Sequence, residues 1–128
     1  FNSWQAIEQL LKTVMETKRP RYFSADLNLN DGREFVYVQG YFDGGGWALE
    51  CMSEKFTERS HSQEQKRTFI NLGWNPPTNE SPNYQRDTTG TDSLMPISMF
   101  IDAFEQGYKL NPHQIARVDV NLQGPGHF

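Results

Sequence analysis

The sequence predicts an α+β domain in which an antiparallel sheet, a three-strand meander plus one or two further strands, packs against N- and C-terminal helices. Three observations carry this expectation. Apolar residues recur at three- and four-residue spacing between Asn2 and Arg19. They alternate with a period of two through three successive segments separated by turn-forming residues. Helical spacing then returns between Ile97 and Tyr108.

The first helix is read from Trp4, Ile7, Leu10, Leu11, Val14 and Met15, which form one stripe. Asn2 or Ser3 suits its N-cap, Lys18 and Arg19 suit the negative end of its dipole, and Pro20 ends it. In the first strand Phe23, Ala25, Leu27 and Leu29 face one way, and Tyr22, Ser24, Asp26 and Asn28 the other. Asn30-Asp31-Gly32 predicts a tight turn. A second strand is expected from Glu34 to about Phe42, and a third from Trp47 to Ser53, with Trp47, Leu49 and Cys51 opposite Ala48, Glu50 and Met52.

Ser62 followed by Gln65 is the pattern of a capping box, opening a short helix with Phe69, Ile70 and Leu72 that stops at Gly73. Asn83 to Asp87 reads as a short edge strand, because Pro82 and polar neighbours disfavour a central one. The third helix is expected from Asp92, with Asp92 or Ser93 as cap, Pro96 in the first turn, and Ile97, Phe100, Ile101, Phe104 and Tyr108 on one face. Ile115 to Leu122 alternates and predicts a last strand, followed by a loose tail from Gln123.

A chain of 128 residues has room for a single domain with one core, and no repeat or linker divides it. The mean hydropathy of -0.73 is low, but aromatics make up 13% of the residues, which disordered chains do not. Twelve Lys and Arg against 16 Asp and Glu leave no basic footprint for nucleic acid. No apolar run is long enough for a membrane helix, and nothing at the start resembles a signal peptide, so the expected compartment is the cytoplasm. Phe1 in place of an initiator Met raises the alternative of a structural or regulatory module within a longer protein.

Candidates for catalysis are few. Cys51 is the single cysteine and lies within an expected core strand, and His61, His113 and His127 fall in polar or terminal segments with no metal-ligand spacing. Asp102 and Glu105 fit the solvated face of the last helix, and Glu54 and Glu58 alternate with Lys55 and Arg59 in a mixed-charge segment. Asp43-Gly44-Gly45-Gly46 lies between two strands, where a hairpin turn is expected rather than a phosphate cradle. Asn79-Glu80-Ser81 matches a glycosylation acceptor only by chance, in the absence of a secretion signal. No catalytic residue, metal site or cofactor is expected.

The aromatics remain. Phe35 and Tyr37 share a strand face, Tyr41 and Phe42 crowd the next turn, and Trp74 and Tyr84 bracket a proline-rich loop. For most of these, packing in a core short of aliphatics is the favoured reading. The competing reading is a surface for an extended peptide, with aromatic anchors beside a strand edge.

Leu72-Gly73-Trp74-Asn75-Pro76-Pro77 followed by Ser81-Pro82-Asn83-Tyr84-Gln85-Arg86 resembles a bacterial, chiefly actinobacterial family related to YbjN and to type III secretion chaperones. Phe35-Val36-Tyr37-Val38-Gln39, Glu50 to Phe56 and Ser62-Gln63-Glu64-Gln65 add support, and the likeness covers about Phe23 to Tyr108. The glycine triplet after Asp43 and the strand-like Ile115 to Leu122 depart from the family pattern. The resemblance implies the same element order and a non-enzymatic, often dimeric domain that binds peptides or unfolded segments. The expected function is therefore chaperone-like binding of a protein or peptide partner, with a homodimer. The candidate peptide-binding residues are Trp74, Tyr84, Arg86, Tyr37 and Tyr41. An enzyme using Cys51 or a loop histidine is the rival class.

Overall fold

The computed structural model describes residues 1–32, 35–42, 45–53, 62–89 and 95–123. Expectations for Glu34, for Asp43 and Gly44, for Glu54 to His61, for Asp92 and Ser93, and for His127 fall outside the described residues.

Helix α1 spans Trp4–Lys18. The Ser3 hydroxyl accepts from the Ala6 N–H at 3.2 Å, satisfying one orphan donor of the first turn, a cap worth about 1 kcal/mol. Arg19 takes a left-handed conformation at φ 44° and returns its N–H to the Met15 carbonyl, so the chain leaves the helix before Pro20. The apolar stripe is narrower than its spacing suggested: Ile7, Leu11 and Met15 are buried, whereas Leu10 is exposed.

Strands β1 (Tyr22–Leu29), β2 (Phe35–Phe42) and β3 (Gly46–Cys51) form the expected meander. Helix α2 (Gln63–Asn71) starts at a full capping box, with Gln65 N–H donating to the Ser62 hydroxyl and Ser62 N–H to the Gln65 side chain. Strand β4 (Tyr84–Thr89) follows. Helix α3 (Ile97–Asp102) passes into a π-helical turn, Ala103–Gly107, and a 3₁₀ turn, Pro112–Gln114, leads to strand β5 (Ile115–Gln123). Among the described residues all pairings are antiparallel and the strand order is β4-β3-β2-β1-β5, with β4 and β5 at the edges.

Alternation along the strands separates two faces. Phe23, Ala25, Leu27, Val36, Val38, Leu49 and Cys51 point into one core with Ile7, Leu11, Phe69, Phe100 and Phe104 from the helical side. The fold is thus α+β, with an antiparallel sheet carrying its helices on one face.

Two local expectations are corrected. The third helix begins at Ile97, with Pro96 in the cap position and no side-chain cap, and its α-helical register widens at Ala103. Tyr108 N–H then reaches the Ala103 carbonyl at 2.8 Å, and the Tyr108 hydroxyl donates to the Met52 carbonyl at 2.5 Å. A Cβ on Gly107 would lie 2.6 Å from the Phe69 ring, so glycine permits this turn to sit directly on Phe69. Met52, expected on the wet face of a longer β3, is buried beyond the end of that strand.

Candidate functional site

The five candidate binding residues divide between the two sides of the sheet. Trp74 and Tyr84 are each 2% exposed and belong to the core. Tyr84 stacks on Phe69 with centroids 4.2 Å apart, Phe69 meets Tyr108 edge-on at 4.9 Å, and Trp74 stacks on Phe100 at 6.0 Å. The Trp74 indole Nε1 is buried with no hydrogen-bond partner among the described residues. Arg86 is half-buried, and its Nη1 donates to the Leu72 carbonyl at 2.6 Å, at the C-terminus of α2. Gly73, at φ 102°, passes over this guanidinium so closely that a Cβ would lie 3.0 Å from Cζ. Asn75 and Gln85 exchange backbone hydrogen bonds in an isolated bridge. Hence the Leu72 to Arg86 segment is a cap that ties α2 to β4, with the two large rings turned inward.

Its outer side borders an open groove of about 400 Å³ lined by Ser53, Gln63, Lys66, Ile70, Pro76, Pro77 and Tyr84. Ile70 is exposed there.

Tyr37 and Tyr41 lie on the other side, on the sheet face that no described helix covers. The register places Tyr22, Ser24, Asp26 and Asn28 of β1, Phe35, Tyr37, Gln39 and Tyr41 of β2, Ala48 and Glu50 of β3, Gln85 and Asp87 of β4, and Arg117, Asp119 and Asn121 of β5 on this open face. Phe35 and Tyr41 are 45% and 46% exposed, high for aromatic side chains, while Tyr22 and Tyr37 are half-buried.

A chain of polar contacts fixes the middle of the face. The Tyr22 hydroxyl donates to Gln39 Oε1 at 3.2 Å, and Gln39 Nε2 donates to Glu50 Oε2 at 3.3 Å. Asn83 Nδ2 donates to Glu50 Oε1 at 3.2 Å and to the Tyr37 hydroxyl at 3.0 Å, and Asn83 Oδ1 accepts from Ser53 N–H at 3.3 Å. Burial pushes the Tyr37 phenol up from its ordinary pKa, with the Asn83 hydrogen bond pulling the other way. At the next cross-strand position Asp26 stands directly opposite Asp119. Partial burial, and then the Asp119 charge, raise the Asp26 carboxyl above the usual aspartate value. Asp119 is held by Asn28 Nδ2 at 2.9 Å and Arg117 Nε at 3.0 Å.

The sequence did not single out Asn83, Gln39, Glu50, Asp26 or Asp119. The available signal was their parity, since each except Asn83 occupies a wet-face position of an alternating strand.

The reactive groups are placed against catalysis by a thiolate. Cys51 is fully buried, which pushes its thiol well up and opposes the activated form. His113 is exposed in the 3₁₀ turn. Asp102 and Glu105 are exposed on the helical side, and Asn79 lies in an exposed loop. Among the described residues no group of three or more His, Cys, Asp or Glu side chains could hold a metal ion, and no helix is long and apolar enough to cross a membrane.

No family model, curated protein or solved structure matches the chain.

Proposed function

We propose that the chain is a non-enzymatic, cytoplasmic, chaperone-like domain that binds peptide or protein segments on the open face of its sheet and works as a homodimer. The resemblance of the Leu72 to Arg86 segment to YbjN-like and type III secretion chaperone-like proteins points the same way. The observation that carries the reading is the sheet face that no described helix covers, with exposed Phe35 and Tyr41 around a hydrogen-bonded polar centre. Large aromatic surface beside fixed donors and acceptors suits a polypeptide, whose side chains and peptide groups need both. Trp74 and Tyr84 contribute through the core that holds β4 in place.

The dimer is assigned to the β5 edge. Val118, Val120 and Leu122 point to the helical side but are only half-buried, next to an apolar groove of about 420 Å³ between β5 and Val14 of α1. A second copy paired antiparallel about Val120 sets Val118 against the partner copy's Leu122 and Asp119 against its Asn121. Apolar side chains then cover each other and no like charges meet. Pairing about Asp119 would oppose two carboxylates and is disfavoured.

The binding face is tested by titrating the isotope-labelled chain with a permanently unfolded polypeptide while following amide and aromatic resonances. Shifts centred on Phe35, Tyr37, Gln39 and Tyr41 support the reading. Shifts confined to the groove at Ile70 and Pro77, or no shifts, overturn it.

A further inference from the structure

The charge pattern of the open face names the chemistry of its partner, an inference that rests on the open-face reading above. Asp26, Glu50, Asp87 and Asp119 all lie on this face, with Arg117 as its single cation among the described residues. Arg117 is committed to Asp119. Glu50 receives two neutral amide donors, which solvate its charge without cancelling it, and no cation pairs with Asp26 or Asp87 among the described residues. The described lysines sit elsewhere: Lys12 and Lys18 on α1, Lys66 on α2, and Lys109 after the π-helical turn.

Rings interleave with these carboxylates. Tyr37 is directly opposite Asp26, and Tyr41 and Asp87 flank Ala48 on its two sides. A guanidinium or ammonium group settling between such neighbours meets a carboxylate and an aromatic face together. We propose that the open face takes a cationic polypeptide, whose Arg and Lys side chains engage Asp26, Glu50 and Asp87 between the rings of Phe35, Tyr37 and Tyr41. A second copy is a poor occupant of this face, because stacking two of them apposes like charges. The cation also relieves the like-charge contact between Asp26 and Asp119.

The test measures fluorescence anisotropy of a labelled peptide of alternating Arg and Ser added to the full chain, beside counterparts with Gln or Glu in place of Arg. The Arg peptide is expected to bind best and to weaken at least tenfold as salt rises from about 50 to about 500 mM. Asp26→Asn, Asp87→Asn and Tyr41→Ala should each weaken it about threefold, and jointly more. Asp102→Asn with Glu105→Gln, which removes comparable charge from the helical side, should leave it unchanged. Equal loss in that control reduces the effect to net-charge attraction and overturns the proposal. Equal binding of the Gln peptide, still sensitive to Tyr41→Ala, overturns the cation requirement while the open-face reading stands. No binding of any peptide, or binding that none of the open-face variants alters, overturns both.

Discussion

Asn83 and Tyr37 lie 46 residues apart in sequence, yet the Asn83 amide donates to the Tyr37 hydroxyl at 3.0 Å and joins the start of β4 to the open face of β2. The same amide reaches Glu50, and its oxygen accepts from Ser53 N–H, so one 5%-exposed side chain coordinates three strands and the exit from β3.

Asn83→Ala removes all of these contacts at a site that water reaches poorly. A loss of about 1–3 kcal/mol is expected, since buried partners are left short of hydrogen bonds. Tyr37→Phe removes only the phenol's share and should cost about 1 kcal/mol. Urea unfolding of the two variants checks the order, and a costlier Tyr37→Phe would contradict the central role of Asn83.

Asp26 faces Asp119 across the β1–β5 ladder, and this sets a pH dependence of defined sign. Its folded-state pKa is raised, so the native state holds the proton more tightly than the unfolded chain. Stability is therefore gained as pH falls through the folded pKa, and the destabilising contribution is fully present above it. Asp26→Asn should raise the Tm at neutral pH, with the advantage shrinking to nothing below about pH 3, where unfolded aspartate is itself protonated. Thermal melts of both proteins across pH measure it, and a stabilisation that persists undiminished at low pH would point to another cause.

These two contacts show where sequence reasoning reaches and where it stops. The capping box at Ser62 and Gln65 and the stop at Gly73 are local chemistry, readable because cap and partner lie three residues apart. Strand faces were readable from the parity of residues such as Phe23 and Asp26. The widening at Ala103 was not, because Phe104 and Tyr108 fit an ordinary helical spacing, and the change of register lies in the Tyr108 N–H bond to the Ala103 carbonyl five residues back, where Gly107 packs on Phe69. Trp74 and Tyr84 stand among the binding candidates even though packing is the favoured reading for most of the aromatics, since burial of a ring depends on partners such as Phe100 and Phe69 that are distant in sequence. The bridging role of Asn83 is hidden from the sequence for the same reason. Its partners belong to other strands.

The aromatics that the sequence grouped together should separate sharply in stability. Tyr84→Ala empties a stacked position against Phe69 and should cost about 3–5 kcal/mol, comparable to deleting a buried phenylalanine. Tyr41→Ala, at a 46%-exposed ring, should change stability by about 0.5 kcal/mol or less while weakening partner binding. Denaturant midpoints and binding measured on the same samples test the contrast. A strongly destabilised Tyr41→Ala would move Tyr41 from the binding surface into the structural framework.

The β5 edge offers a prediction in which the sign of one charge decides the outcome. Asn121 is exposed on the last strand, so its replacement by Asp or Lys should leave the monomer fold intact. In a dimer paired about Val120, each Asn121 stands opposite the partner copy's Asp119. Asn121→Asp then sets carboxylate against carboxylate at two symmetric positions, whereas Asn121→Lys creates two opposite-charge pairs. Each cross-strand pair is worth about 0.2–1 kcal/mol, and symmetry doubles it, so the dimer Kd should rise up to about thirtyfold in the first variant and fall by a similar factor in the second. Sedimentation equilibrium at low salt reads the constants directly. If both variants leave the dimer unchanged, the two-fold axis does not pass through Val120; if the wild-type chain is monomeric at high concentration, the β5 edge does not join two copies.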